Sequence, residues 1–347
     1  MKMKYKLLGK SGLRVSELSL GTMTFGEEWG WGSSKEVAKQ VFRKYSDEGG
    51  NFIDTACNYT DGTSEKFVGE FIEGDRDRYV IATKYTLHDH RWKSDPNAGG
   101  NHRKNLFRTV KESLERLRTD YIDLLYLHMW DYTTPIHEVI RSLDYLISST
   151  RVNYIGISDT PAWVVSRANT MAEIRGWNPF VAFQFPYNLS FRDPEREITP
   201  MCKKLDLAMT VWAPLGAGLY TGKYTRENPT PGRLREGKWG APPEDRLKIA
   251  REVDKIADEI GCSSANVALN WVRKQDGLVI PIFGVTSLEQ LEDNLQCLEF
   301  EISDEYCQRL AELVDFKFGF PKGFLIGNKG LYHGETYDLL VNHRNYE

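Results

Sequence analysis

Residues 51–59 read Asn51-Phe52-Ile53-Asp54-Thr55-Ala56-Cys57-Asn58-Tyr59. A short apolar run ends on the carboxylate of Asp54, and Tyr59 follows within one loop. Two further runs end the same way: Tyr79-Val80-Ile81-Ala82-Thr83 on Lys84, and Tyr121-Ile122-Asp123-Leu124-Leu125-Tyr126-Leu127 on His128. Ionisable residues at the C-terminal ends of several parallel strands read as the active face of a βα barrel. Their chemistry is self-consistent. Tyrosine is a weak acid with a free pKa of about 10, and a nearby ammonium lowers that value by favouring the tyrosinate. A carboxylate beside the lysine keeps the ammonium charged, and an imidazole can hold a substrate oxygen. Such a set can protonate the oxyanion that forms when hydride reaches a carbonyl.

The rest of the chain repeats the pattern. Short, often β-branched apolar runs lie near 15–20, 51–55, 79–83, 121–127, 152–157, 180–185, 208–212 and 278–282. Between them lie segments of helical periodicity. In 135–148, Ile136, Val139, Ile140, Leu143, Leu146 and Ile147 share a face, and in 103–118 Leu106, Val110, Leu114 and Leu117 do so. Thr160-Pro161 reads as an N-cap followed by proline in the first turn. Eight strands alternating with helices predict a parallel sheet closed as an α/β (β/α)8 TIM barrel in one domain, 1–347. Residues 4–8 and 13–18 predict an N-terminal β-hairpin across its bottom. Segments 85–101, 213–242 and 315–347 exceed simple connections. The first two follow strands and belong on the catalytic face. The aromatic tail 315–347 is expected to pack near the pocket mouth, with a dimer contact as the alternative.

Composition narrows the function. Apolar residues make up 41% and charged residues 27%, with a net charge of −4. With no basic stripe, nucleic-acid binding is not expected. No apolar run is long enough to span a membrane, and no h-region follows the basic start. Five scattered cysteines without CxxC pairing predict reduced thiols in the cytoplasm. His88-Asp89-His90 lacks a further ligand at zinc-like spacing, so no metal is expected.

Gly21-Thr22-Met23-Thr24-Phe25-Gly26, the Asp54…Tyr59 run, Trp212-Ala213-Pro214-Leu215-Gly216 and 284–294 together resemble the aldo-keto reductase superfamily, over roughly Tyr5 to Leu313. The resemblance implies a catalytic tetrad: Tyr59 gives the proton, Lys84 lowers its pKa, Asp54 supports Lys84, and His128 orients the carbonyl. It also implies a nicotinamide cofactor, since no amino acid supplies hydride. No GxGxxG stands between a first strand and a helix, so a Rossmann site is not indicated. By resemblance, Trp212 stacks on nicotinamide, and Gln184 and Ser158 hold its carboxamide. Thr22, Met23, Pro214, Leu215, Gly216, Gly218, Gly284, Asp293 and Asn294 fall on further cofactor motifs. Asp159 stands where the family has asparagine; it can accept from the carboxamide NH2 but, ionised, cannot donate to its oxygen. Ile282, Thr286 and Gln290 replace the Lys or Arg that many relatives place near the 2′-phosphate. In this the chain is similar to the branch containing potassium-channel β subunits and bacterial general-stress-type reductases, where basic residues come from the loop after the seventh strand. Lys223 and Arg233 match those positions, which favours NADP, with NAD as the other choice.

Each residue also has a plainer reading. Tyr59 could cap the barrel, Asp54–Lys84 could be a structural ion pair, and His128 could be a satisfied core histidine. Trp212 could be an ordinary strand-end aromatic. Thr286 with Glu289, or Ser287 with Gln290, fits a capping box at a helix N-terminus that could equally bind a phosphate. Phe25, Trp29, Trp31, Trp92, Trp130 and Tyr132 lie in or near catalytic-face loops and would suit an apolar or aromatic carbonyl compound. The leading function is reduction of aldehydes or ketones, or oxidation of the alcohol, on a small-molecule substrate. A cofactor-sensing interaction module with slow turnover is the alternative. A carboxylate-pair hydrolase fits poorly, because Lys84 and Tyr59 occupy the place of a second carboxylate. A homo-oligomer is compatible with either reading.

Overall fold

Parallel strands buried on both faces need near-continuous apolar runs, and those runs form the barrel. The computed structural model of the chain describes residues 3–88, 94–226 and 241–341. An antiparallel hairpin of β1 (Tyr5–Leu7) and β2 (Arg14–Ser16) comes first. Among the described residues, eight parallel strands then close a barrel: β3 (Ser19–Gly21), β4 (Phe52–Asp54), β5 (Val80–Tyr85), β6 (Ile122–Leu127), β7 (Val152–Ser158), β8 (Phe180–Pro186), β9 (Ala208–Trp212) and β10 (Val279–Phe283). Closure is made by β10 against β3, with Ile282 opposite Ser19 and Phe283 opposite Leu20.

The expected first strand at 15–20 is divided. Its start belongs to the hairpin and its end to the barrel. Ser16 explains the break: its hydroxyl donates to the Leu18 carbonyl and pairs with the Tyr45 hydroxyl at 2.7 Å, while its N–H donates to Asn51 Oδ1. These bonds satisfy the chain where it leaves one sheet for the other. The hairpin covers the barrel bottom as expected. Leu8 and Val15 pack with Phe52, Val80, Leu124 and Ile280, and Lys6 Nζ donates to the Val279 carbonyl at 2.7 Å.

The two amphipathic stretches form the helices Arg103–Leu117 and Ile136–Ser148, with Leu106, Val110, Leu117, Ile136, Val139, Ile140, Leu143 and Leu146 buried. One helix start differs from expectation. Pro161 is itself the cap of Ala162–Arg175, and the Thr160 hydroxyl donates to the Ser158 carbonyl instead. Inside the barrel, Tyr126 is fully buried with its hydroxyl 2.8 Å from Thr210 Oγ1. A Cβ at Gly156 would come within 2.4 Å of that ring, so glycine lets β7 pass beside the tyrosine. After β9 a 3-10 stretch, Gly216–Thr221, opens the long connection. In the tail, Phe316 lies near Arg192 and Arg196 and Phe318 under Lys322, while Phe320, Phe324 and Leu325 are exposed.

One buried charge network ties the barrel to its outer helices just behind Lys84. Glu65, on the helix Thr63–Phe71, is fully buried. Its carboxylate accepts from Thr83 Oγ1 at 2.5 Å and from Arg116 Nε at 2.6 Å. Arg116→Ala would leave that carboxylate buried and unpaired and is expected to lower unfolding free energy by about 3–5 kcal/mol. The exposed pair Lys111–Glu115 should contribute about 0–1 kcal/mol. Urea denaturation of Arg116→Ala and Lys111→Ala checks this, and equal small losses would contradict the role assigned to Glu65–Arg116.

Candidate active site

Lys84 is fully buried and sits near the end of β5. Its ammonium has three protons, and all three are directed. Nζ donates to Asp54 Oδ2 at 2.5 Å, to the Thr55 carbonyl at 2.8 Å and to the Tyr59 hydroxyl at 3.2 Å. Asp54, at the end of β4, is held in turn by Gln184 Nε2, which donates to Oδ1 at 2.8 Å. Thr22 donates through both its N–H and its hydroxyl to the Asp54 carbonyl. Burial works against the Lys84 charge, but Asp54 and Tyr59 outweigh it and hold the lysine above its usual pKa. Because the Tyr59 oxygen accepts from Lys84, its own hydrogen is left to point into the pocket.

Tyr59 behaves differently from expectation in one respect. Burial pushes its phenol above the ordinary value; Lys84 pulls the other way, and Asp54 and Asp159 add to the rise. Lys84 thus limits a rise set by burial and does not leave Tyr59 with a net lowered pKa. The His128 ring lies 6.1 Å from the Tyr59 ring, edge to face. Burial and then Lys84 push its imidazole well below the usual value, so the ring is neutral. His128 Nδ1 is buried without a hydrogen-bond partner. A proton there would have no acceptor, which favours the tautomer with N–H on Nε2.

A second group gathers across the barrel mouth at β7, β8 and β9. Trp212 ends β9 with 39% of its surface exposed, and its Nε1 donates to Asp159 Oδ1 at 3.4 Å. Two non-glycine residues here, Asp159 (φ 41°) and Ala213 (φ 52°), take left-handed backbone, a strained choice that clusters at functional sites. Asn188 Nδ2 donates to the Ala213 carbonyl at 3.0 Å and holds that turn. Ser158 Oγ is buried without a well-formed hydrogen bond, though it lies close enough to Asp159 to favour its carboxylate. Burial pushes the Asp159 carboxyl up to about 6, against Trp212, Lys84 and Ser158.

The remaining predicted residues fall in three places. Beyond buried Pro214 and half-buried Leu215, Gly216 (φ 58°) and Gly218 (φ 90°) open the 3-10 stretch, and a Cβ on Gly218 would lie 3.4 Å from Lys223 Nζ. Exposed Gly284 leads to Thr286, whose N–H and hydroxyl donate to Gln290 Oε1, while Gln290 N–H donates to Ser287 Oγ. Ser287, not Thr286, is therefore the cap. Asp293 accepts from Asn266 Nδ2 at 3.2 Å, and Asn294 is buried. Of the aromatic set, Trp29 packs edge to face on Tyr59 at 6.5 Å and beside Trp31 at 5.7 Å. Trp130 is half-buried and its N–H donates to the Asp159 carbonyl; half-buried Met23 lies in the loop after β3. Phe25 is a correction: it is fully buried against Phe71 and belongs to the core, not the pocket. Trp92, Arg233, Asp89 and His90 lie outside the described residues.

These features suit a nicotinamide nucleotide. A half-exposed indole face, an orphaned buried hydroxyl at Ser158, left-handed Gly216 and Gly218 with Lys223 beside the latter, and a capped helix start lie at the C-terminal ends of the barrel strands. The Thr55 carbonyl escapes sequence reading, because backbone acceptors leave no side-chain signal. Asn188 and the contact between Asp159 and Trp212 escape it as well.

Comparison with known proteins bears on the same barrel. A family model described as the aldo/keto reductase family matches residues 17–315. A norsolorinic acid reductase of Emericella nidulans is 40% identical over 325 residues, covering 91% of this chain and 82% of the relative. An aryl-alcohol dehydrogenase, NADP(+), of Phanerodontia chrysosporium is 39% identical over 332 residues, covering 89% and 85%. An aryl-alcohol dehydrogenase of Pestalotiopsis microspora is 36% identical over 343 residues, covering 95% and 87%. With likeness of this extent carried by an eight-stranded barrel, the chain belongs to the aldo/keto reductase family and is an oxidoreductase that works on carbonyl compounds with a nicotinamide cofactor.

Proposed function

We propose that Tyr59 is the general acid of carbonyl reduction, with Lys84, Asp54 and His128 placing and tuning it. The observation that carries this reading is the three-way donation of Lys84, which engages the Tyr59 oxygen and leaves its proton free. A bound dihydronicotinamide supplies the hydride. As the carbonyl π electrons move onto oxygen, Tyr59 passes its proton to that oxygen and is reprotonated from solvent. Lys84 stabilises the transient tyrosinate, and Asp54 keeps Lys84 charged. Neutral His128 donates its Nε2 proton as a hydrogen bond to the same oxygen and so fixes the carbonyl. In alcohol oxidation the proton path runs in reverse.

The cofactor we propose is NADP, held by Trp212 with Ser158, Asp159 and Gln184 at the nicotinamide end. Gly216, Gly218, Lys223, Thr286, Gln290, Asp293 and Asn294 serve the nucleotide end. The NADP(+) in the name of the Phanerodontia chrysosporium relative supports this choice. Trp29 beside Tyr59, Trp31 beside Trp29, and Trp130 bonded to the Asp159 carbonyl support an aryl carbonyl or aryl alcohol as substrate. Residues 1–347 act as one catalytic unit in this reading. Five cysteines that form no disulfide among the described residues support a reducing compartment such as the cytoplasm. The likeness to the branch with potassium-channel β subunits rests on the Thr286–Gln290 turn and the loop after β9. The relatives compared above are a reductase and two dehydrogenases, which supports turnover over cofactor sensing.

Tyr59→Phe is expected to lower reduction of an aryl aldehyde by about 100-fold or more while leaving the NADPH dissociation constant unchanged. Near-normal turnover in stopped-flow assays would remove Tyr59 from the mechanism. For the cofactor, Lys223→Ala is expected to weaken NADPH by roughly ten- to a hundred-fold and to leave NADH nearly unchanged. Calorimetric titration with both cofactors decides it, and equal weakening would mean that Lys223 only orders the loop.

A further inference from the structure

We infer that the Asp159 carboxylate is an electrostatic partner of the nicotinamide ring and tilts binding toward the oxidised, positively charged form of the cofactor. The inference rests on the reading of Trp212 as the face against which that ring lies.

Position comes first. Asp159 follows β7 directly, and its backbone is fixed on both sides: its N–H donates to the Gln184 carbonyl at 3.2 Å, and its carbonyl accepts from Trp130 N–H at 3.4 Å. The left-handed turn at φ 41° sends the side chain to Trp212, whose Nε1 it accepts at 3.4 Å. The carboxylate therefore sits at the edge of the exposed indole. A ring stacked on that indole lies within a few ångströms of the charge.

The neighbouring charges do not cancel it. Lys84, from β5, is the cation that acts on Asp159, but its ammonium is committed to Asp54, Thr55 and Tyr59. Lys84 and Asp54 offset each other. Tyr59, from the turn after β4, is neutral and is held so partly by Asp159; His128, at the end of β6, is neutral as well. Ser158 and Trp212 contribute only dipoles. Among these described groups next to Asp159, the balance is one net negative charge when Asp159 is ionised. An oxidised nicotinamide is cationic and a reduced one is neutral, so the charge separates the two forms. A neutral asparagine at this position would not.

The consequence depends on pH. With its carboxyl raised to about 6 by burial, Asp159 is ionised above that pH and protonated below it. Preference for binding the oxidised cofactor is expected above the transition and lost below it. Linkage requires the converse: the oxidised cofactor lowers the Asp159 pKa.

The test titrates cofactor-free protein with NADP+ and NADPH separately by calorimetry, at about pH 5.5 and about pH 8. Wild type, Asp159→Asn and Trp212→Ala are compared. The 2′-phosphate titrates in both cofactors, so the ratio of the two dissociation constants removes it. In wild type, affinity for NADP+ relative to NADPH should rise about threefold between the two pH values, the part of one pKa unit of coupling that a carboxyl titrating at about 6 displays over that range. In Asp159→Asn the ratio should be flat. A flat wild-type ratio, or a pH-dependent ratio that survives Asp159→Asn, overturns the inference; if Trp212→Ala still weakens both cofactors, the ring placement stands. If Trp212→Ala changes neither affinity, the placement falls and the inference with it.

Discussion

Burying a lysine side chain completely is unfavourable unless every proton finds an acceptor and the charge finds a counter-charge. Lys84 meets both conditions at once, through Asp54, the Thr55 carbonyl and the Tyr59 hydroxyl. The rest of the site follows from that solution. Asp54 must be immobile, so Gln184 reaches across from β8 and Thr22 grips its carbonyl from the loop after β3. Thr83, next to Lys84, is anchored outward to the Glu65–Arg116 pair. A closed barrel brings β3, β4, β5 and β8 close enough for this to happen around one ammonium group.

The opposite side of the mouth is built on different physics. There the chain accepts left-handed backbone at Asp159 and Ala213 and leaves an indole half exposed. Asn188 steadies the second of these turns through the Ala213 carbonyl. The two halves are linked electrostatically: Asp159 raises the Tyr59 pKa, and Lys84 favours the Asp159 carboxylate. Asp159, on the second side, thus also bears on the proton donor of the first.

Much of this arrangement is legible in the amino-acid sequence. Strand-ending Asp54, Lys84 and His128 are conspicuous because charge at the end of an apolar run has few structural explanations, and three such runs in register with a barrel pattern reinforce one another. Periodicity places the helices at 103–117 and 136–148 within a residue or so. Other features are hidden for physical reasons. The division of 15–20 depends on Ser16 bonding to residues distant in sequence. Phe25 reads as a pocket wall because loop position does not reveal side-chain direction, and Phe71 draws it into the core. The net shift of Tyr59 depends on how tightly atoms surround the phenol, which no motif encodes.

The central claim is that Lys84 acts directly on the Tyr59 hydroxyl. It is tested most directly by NMR titration of Tyr59 in protein carrying isotope-labelled tyrosine, in wild type and in Lys84→Met. Burial holds the wild-type phenol above its usual value and Lys84 restrains that rise. Removing the ammonium should therefore move the Tyr59 pKa further up. An unchanged or lower value in Lys84→Met would mean that the lysine only balances Asp54.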